Sequence, residues 1–345
     1  MIRHRRTRRK SGNRIILYTI ALLALGVMHL YHRFFNDGQS YPAIEISAPK
    51  ATEAVSAPSA KSSSSAPKPA PAPTPQAEAI RNDVYRAGWA ELPAERKDKD
   101  LYYTHHTISS ESRRNYSVCF SREHRCPVWV AYPLHASYKG ETKRSDSFTF
   151  DPTLPMDIQP LLRRSFGEYT RGHLLGSAER TSSAEANKQT FYATNVAPQI
   201  QAGFNSSNGA WNNMERMVDR QVCADTLYVV TGCLFEEFSD TNSIKIKAST
   251  TINKNDQQKV GVPTAFYKVL LRTRKGNTGR SVYDCKAEDL KCAAFIVGHC
   301  SAAGRKPTAA TMMSVKELEQ ITGIEFFANV KNAPKDRVDA KDWRL

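Results

Sequence analysis

Residues 169–220 read YTRGHLLGSAERTSSAEANKQTFYATNVAPQIQAGFNSSNGAWNNMERMVDR and carry the densest set of reactive side chains in the sequence. The stretch holds one histidine, several side-chain amides and an acid, Glu215, in a helix-like segment. A neutral imidazole near pH 7 can take a proton from water, which makes His173 a candidate general base. Arg171 offers a planar fork for phosphate oxygens. Gly172 lets the backbone come close to a bulky phosphate. Asn195, Gln199, Asn205 and Asn208 are hard oxygen donors. Glu215 lies one helical turn after Trp211, so the two share a face. Mg²⁺ takes few protein oxygens and keeps several waters. One histidine, one carboxamide and a nearby glutamate therefore suffice for single-metal phosphodiester hydrolysis. The base deprotonates a water, and the cation offsets charge on the scissile phosphate and the leaving oxygen.

Strands and one helix must position these groups. RNYSVCFSREHRCPVWVAYPL (114–134) reads as two strands around a polar turn. Residues 191–194 read as a short strand ending at Asn195, and 226–235, 262–273 and 293–297 as further strands. Residues 208–222 predict a helix, with Trp211, Met214 and Val218 at helical spacing. A second helix is predicted over 314–322, where Ser314 and Glu317 form a capping-box pattern and Gly323 is the stop. Strands outnumber helices and do not alternate with them. That argues for an α+β fold with a largely antiparallel central sheet. Several of these residues have duller roles open to them: Asn208 can cap the helix, and Trp211 suits core packing better than base stacking. Arg163, Arg164, Arg180, Lys188 and the 272–275 run read as surface charge, and His105, His106 and His299 lack the companions of a metal site.

The ordered set Thr170-Arg171-Gly172-His173, Asn195-Val196-Ala197-Pro198-Gln199, Phe204-Asn205 and Trp211-Asn212-Asn213-Met214-Glu215 resembles the DNA/RNA non-specific endonuclease family. These are the ββα-metal (His-Me finger) nucleases, which include secreted bacterial nucleases and mitochondrial endonuclease G. The family pattern is DRGH, then N-x-x-PQ, an Asn, and W-x-x-x-E. RNYS, WVAYPL, TLYVVTG and SVKELEQITGIEFF extend the likeness over residues 81–331. The resemblance implies the ββα-metal fold and hydrolysis of DNA and RNA phosphodiesters without sequence specificity, through contacts to the phosphate backbone. It implies His173 as general base and Asn205 as the ligand of one hydrated Mg²⁺, with Mn²⁺ the alternative ion and Asn208 the second candidate ligand. Glu215 would hold metal-bound waters, Arg171 would contact phosphate, and Asn195 would support the site by hydrogen bonds. Arg144 matches a substrate-side arginine more loosely. Two departures stand out. Thr170 replaces the leading Asp, and two extra residues separate Asn205 from Trp211. Asn205 is preferred because it follows Phe204, whereas Asn208 is nearer Trp211.

The 345 residues carry 49 Lys+Arg, 34 Asp+Glu and a net charge of +15. Hydrophobic residues make up 40% and charged residues 24%, which excludes a wholly disordered chain and a polytopic membrane protein. Residues 1–14 hold seven Lys/Arg and no acid, residues 15–80 are neutral in sum, and 81–345 keep +8, a balance that favours polyanions. The run IILYTIALLALGVM follows the basic residues. A cleaved signal has this layout, but no small-x-small site follows Met28, so a membrane signal anchor over 15–35 fits better. The positive-inside rule then keeps residues 1–14 in the cytoplasm and exports the rest to the periplasmic or extracellular side. Residues 36–80 are an Ala/Pro/Ser-rich linker, and residues 81–345 the functional domain. Seven cysteines, all within that domain, make Cys119–Cys126 and Cys285–Cys292 candidate disulfides, and no pair has zinc-knuckle spacing. No protein partner can be inferred. The competing function is a surface nucleic-acid-binding protein in which Thr170 and the longer loop have cost catalysis. A weaker one is a nuclease domain restrained by an inhibitor.

Overall fold

Apolar, β-branched runs buried on both sides set the centre of the molecule. The computed structural model describes residues 88–345, apart from 164, 165, 242, 254–256, 303 and 305. The expected cytoplasmic segment, anchor and linker (1–14, 15–35 and 36–80) lie outside the described residues. Among the described residues no helix is long and apolar enough to cross a membrane.

The strands are β1 (Leu101–Ile108), β2 (Arg113–Ser121), β3 (Cys126–Leu134), β4 (Thr170–His173), β5 (Val196–Gln199), β6 (Leu227–Leu234), β7 (Phe238–Ser239), β8 (Lys245–Ile246), β9 (Ser249–Ile252), β10 (Lys259–Val262), β11 (Ala265–Thr273), β12 (Leu290–Gly298) and β13 (Met312–Met313). The α-helices are α1 (Ala184–Gln189), α2 (Ala210–Asp219) and α3 (Val315–Thr322). Seven strands form one sheet in the order β1-β2-β3-β6-β11-β12-β13, and every pairing is antiparallel.

Alternation along β11 explains the layers. Phe266 and Leu270 join the core that includes Trp211, Met214, Met217 and Val218 of α2. Tyr267, Val269 and Leu271 join the core that includes Val315 and Leu318 of α3. The sheet is thus covered on both faces, and strand residues on either side are buried. The capping box on α3 forms as the sequence predicts. Ser314 Oγ accepts from Glu317 N at 3.2 Å, and Glu317 Oε2 accepts from Ser314 N at 2.7 Å. Gly323 ends the helix in the left-handed region at φ 64°.

Three local expectations change. Residues 191–194 do not form a strand. They lead through a turn at Ala193–Asn195, and the strand begins only at Val196. The run over 262–273 divides into β10 and β11 around Pro263, which has no N–H to give to a ladder. Among the described residues no disulfide is present, and the seven cysteines are thiols. Cys126 is opposite Ser121 in the β2–β3 ladder, and Cys119 and Cys126 face opposite layers of the sheet. The Cys285 thiol instead donates to Ser281 O.

Candidate active site

A two-stranded ribbon and a helix frame the reactive residues. β4 pairs with β5 in antiparallel register, His173 opposite Val196 and Gly172 opposite Ala197. Ten residues, among them a kinked segment (Gln201–Asn205), separate the end of β5 from the start of α2. This is a ββα unit, with His173 on its first strand and Glu215 on its helix.

Gly172 has a reason other than the one its sequence context suggests. A Cβ there would lie 2.1 Å from Gln199 Cδ, so the glycine makes room for a buried glutamine across the ladder, not for a phosphate. Gly209, not Asn208, is the N-cap of α2, and no side chain caps it. A Cβ at Gly209 would meet Phe204 O at 2.1 Å. Asn208 is exposed, at φ 63°. Trp211 is wholly buried, stacked on Phe204 at 6.2 Å and tilted against Phe266 at 5.2 Å, which is core packing.

His173, Arg144, Arg171, Asn205 and Glu215 line one cleft of about 400 Å³. The His173 ring sits against Phe191 (4.9 Å) and Phe148 (5.5 Å). Burial, reinforced by the charges of Arg144 and Arg171, pulls its imidazole down to about 3. It is therefore neutral at pH 7, and its Nε2 has no hydrogen-bond partner. Arg171 lies 3.8 Å over Phe148 and donates to Leu162 O at 2.8 Å. Arg144 lies 4.8 Å over Phe191 and donates to Asp146 (2.6 Å) and to Ser177 Oγ (2.8 Å). Aromatic faces thus orient both guanidinium groups, at about 0.5–2 kcal/mol each.

Asn195 is outside the cleft lining and wholly buried. Its Oδ1 accepts from Leu175 N at 2.9 Å, and its Nδ2 donates to Leu175 O at 2.9 Å and Thr190 O at 2.7 Å. It fixes the chain just after His173. Asn208 does not line the cleft either; Asn205 does.

Burial pushes the Glu215 carboxyl up to about 7; Lys268 pulls it down, while Glu179 and Asp219 push it further up. Lys268, Glu179 and Asn212 were not foreseen. Lys268 is 1% exposed on β11, with Nζ donating to Thr231 Oγ1 at 2.9 Å and Tyr132 OH at 3.3 Å. A lone lysine inside AFYKVLLRT was the available signal, since a central strand tolerates a cation only beside acids or hydroxyls. Glu179 and Asn212 line the cleft and carry buried, unpartnered oxygens, Glu179 Oε2 and Asn212 Oδ1. Each such atom costs about 1–3 kcal/mol unless a ligand or water satisfies it. Arg180 also differs from its reading as surface charge. It is wholly buried and donates to Asn115 Oδ1, Asn115 O, Pro133 O and Glu179 O.

A divalent cation fits this donor set in one form. Among the described residues no three His, Cys, Asp or Glu side chains converge to hold an ion directly. Asn205, Glu215, Glu179 and Asn212 instead line a common polar cleft, and Glu179 and Asn212 carry unpartnered oxygens, which suits an ion that keeps most of its waters. A larger hollow of about 720 Å³, lined by Lys291, Ser314 and Gln320, has charges that pair among themselves, as Arg274 does with Asp342. It contains none of these groups.

The sequence profile of the family described as DNA/RNA non-specific endonuclease matches residues 97–333. The chain belongs to the DNA/RNA non-specific endonuclease family. Membership makes it a nuclease, a hydrolase of nucleic acids. It is 27% identical over 233 residues to a nuclease of Nostoc sp., covering 66% of this chain and 77% of that one. It is 27% identical over 255 residues to the mitochondrial nuclease EXOG of Danio rerio, covering 72% and 65%. With mitochondrial endonuclease G of Homo sapiens it shares 26% over 230 residues, covering 64% and 70%. The chain thus spans a little under two thirds of the Danio rerio EXOG, and 57% of its Mus musculus counterpart. A chain from the crystal structure of the EndoG/EndoGI complex superposes with a TM-score of 0.54 at 23% identity, over 72% of this chain and 92% of that one. The fold is the ββα-metal fold, with its large antiparallel sheet, as the family resemblance implied.

Proposed function

We propose that the domain cleaves DNA and RNA by general-base hydrolysis with one hydrated divalent cation, Mg²⁺ by the hardness of its donors and Mn²⁺ as the alternative. The observation that carries this reading is the shared cleft. Residues from β4, the kinked segment and α2 open onto it together. His173, neutral at pH 7, takes the proton of the attacking water at a ring nitrogen. Arg171 and Arg144 bind and orient the phosphate. Asn205 would ligate the ion, and Glu215 would order its hydration. When bound, the ion supplies positive charge against the developing phosphate and leaving-oxygen charge. Asn195 holds the chain after the base, and Phe148 and Phe191 keep bulk water from one side of the imidazole. Base-edge readout has no place in this set, so cleavage is expected to ignore sequence.

The test is plasmid and RNA digestion by the full-length chain, with Mg²⁺ or with EDTA, beside His173→Ala. Metal-dependent loss of both substrates, absent in the variant, supports the reading. A second reading, a nucleic-acid-binding protein without turnover, is favoured by one feature: Thr170, where the family has an acid, lines the same cleft. Intact substrates across pH and divalent metals, with salt-sensitive binding, would move that reading ahead. The basic residues 1–14 and the apolar run after them support a further proposal, a single-pass anchor with the nuclease domain exported. Protease accessibility of the domain in intact cells tests it.

A further inference from the structure

Glu179 is the unexplained acid of the cleft. It lies six residues after His173, in the turn Ser177–Glu179, and is only 5% exposed. Its Oε2 has no hydrogen-bond partner. No arginine or lysine pairs with its carboxylate at salt-bridge distance among the described residues, although Lys268 and Arg180 act on it from farther away. Asn212, on the first turn of α2, lines the same cleft and carries a second buried, unpartnered oxygen. Two acceptors without donors, beside a second carboxylate, Glu215, in a polar cleft, call for a donor-rich occupant. Phosphate cannot be that occupant, because it brings only acceptors and negative charge. A hydrated cation brings positive charge and water O–H donors together.

We propose that Glu179 and Asn212 are positioning residues that accept hydrogen bonds from the hydration shell of the divalent cation. Glu215 is then one of two carboxylates around that shell. This rests on the metal-dependent reading above. Neither residue touches the scissile phosphate, and each acts through the ion's water.

The experiment is Mn²⁺ titration of the full-length chain, free Mn²⁺ being read by electron paramagnetic resonance, with plasmid cleavage measured in parallel. For Glu179→Gln and for Asn212→Ala the Mn²⁺ dissociation constant is expected to rise about 10-fold or more, as for other residues that orient a metal's surroundings. The metal concentration for half-maximal cleavage should rise with it, while KM for DNA stays within about 2-fold. Asn212 is partly exposed and its variant does not depend on burying a new group, so it decides the matter if Glu179→Gln does not fold. A wild type that binds Mn²⁺ and cleaves, with both folded variants binding Mn²⁺ equally well, overturns this inference alone. A wild type that neither binds Mn²⁺ nor cleaves overturns the metal-dependent reading beneath it.

Discussion

The ammonium of Lys268 lies 4.9 Å over the ring of Trp211, one helical turn before Glu215. A buried lysine there does two things. It is satisfied by Thr231, Tyr132 and the indole face, and its charge lowers both Glu215 and Glu179 against the upward push of burial. Lys268→Met keeps the bulk and removes the charge. The Glu215 carboxyl should then rise above its present value of about 7. The acid limb of kcat/KM should move to higher pH by roughly one unit. Lys268→Arg, which restores the cation, should move it back. An unmoved limb in a folded Lys268→Met protein would separate this lysine from the chemistry.

His173→Ala should lower kcat by about 10²–10⁴-fold, the usual worth of a general base. DNA binding should survive, because Arg144 and Arg171 remain on their aromatic faces. The wild-type imidazole is depressed to about 3, so it stays unprotonated from pH 4 upward and cannot itself produce an acid limb near neutrality. Glu215 can, since it gains a proton as pH falls through about 7. Divalent affinity of the substrate-free protein should therefore weaken as pH is lowered from 8 to 6, measured by the same Mn²⁺ titration.

The sequence made the ββα unit legible because its parts are local. RGH, NVAPQ and WNNME each carry their chemistry within five residues, and helical spacing assigns Trp211 and Glu215 to one helix. What it could not reveal depends on long-range packing. Arg180 looks like a surface cation until Asn115 and Pro133, 65 and 47 positions earlier in the chain, take its donors. Lys268 meets α2 only because β11 lies beneath it. Glu179 has no periodicity to announce it. The disulfide expectation failed for a related reason. Proximity in a hairpin does not place two side chains on one face, and Cys119 and Cys126 face opposite layers.

His299 shows how the loop bearing Asn205 is held. Its Nδ1 donates to Pro263 O at 2.7 Å, and its Nε2 accepts from Ile200 N at 2.8 Å. Only the neutral ring can do both. Burial accordingly depresses it to about 4. An unfolded histidine titrates near 6.5, so between pH 6.5 and 4 the unfolded chain takes up a proton that the native one refuses. The stability contributed by His299 is thus fully present above pH 6.5 and is lost as pH falls toward 4. Denaturation of wild type and His299→Gln at pH 7, 6 and 5 should show their difference shrinking by about 1.4 kcal/mol per unit below 6.5. A difference independent of pH would mean the ring is not neutral in the native state. The variant should also loosen the Ile200–Asn205 segment and weaken Mn²⁺ binding at pH 7.

Gly172 and Gln199 provide the sharpest structural test of the ribbon that carries His173. Gly172→Ala puts a methyl group 2.1 Å from the buried Gln199 side chain, so that side chain or the β4–β5 ladder must shift. The cost should be about 1–3 kcal/mol, with reduced cleavage as the strand and its histidine are displaced. Gln199→Ala in the same chain removes the obstructing atoms, so the double variant should recover most of the stability. Gly209→Ala behaves differently. Its new methyl group meets backbone, Phe204 O at 2.1 Å, which no side-chain truncation can relieve. Thermal unfolding of the three proteins decides between these cases. If Gly172→Ala is as stable as wild type, or if Gln199→Ala fails to rescue it, the strand pairing at His173 is not as described.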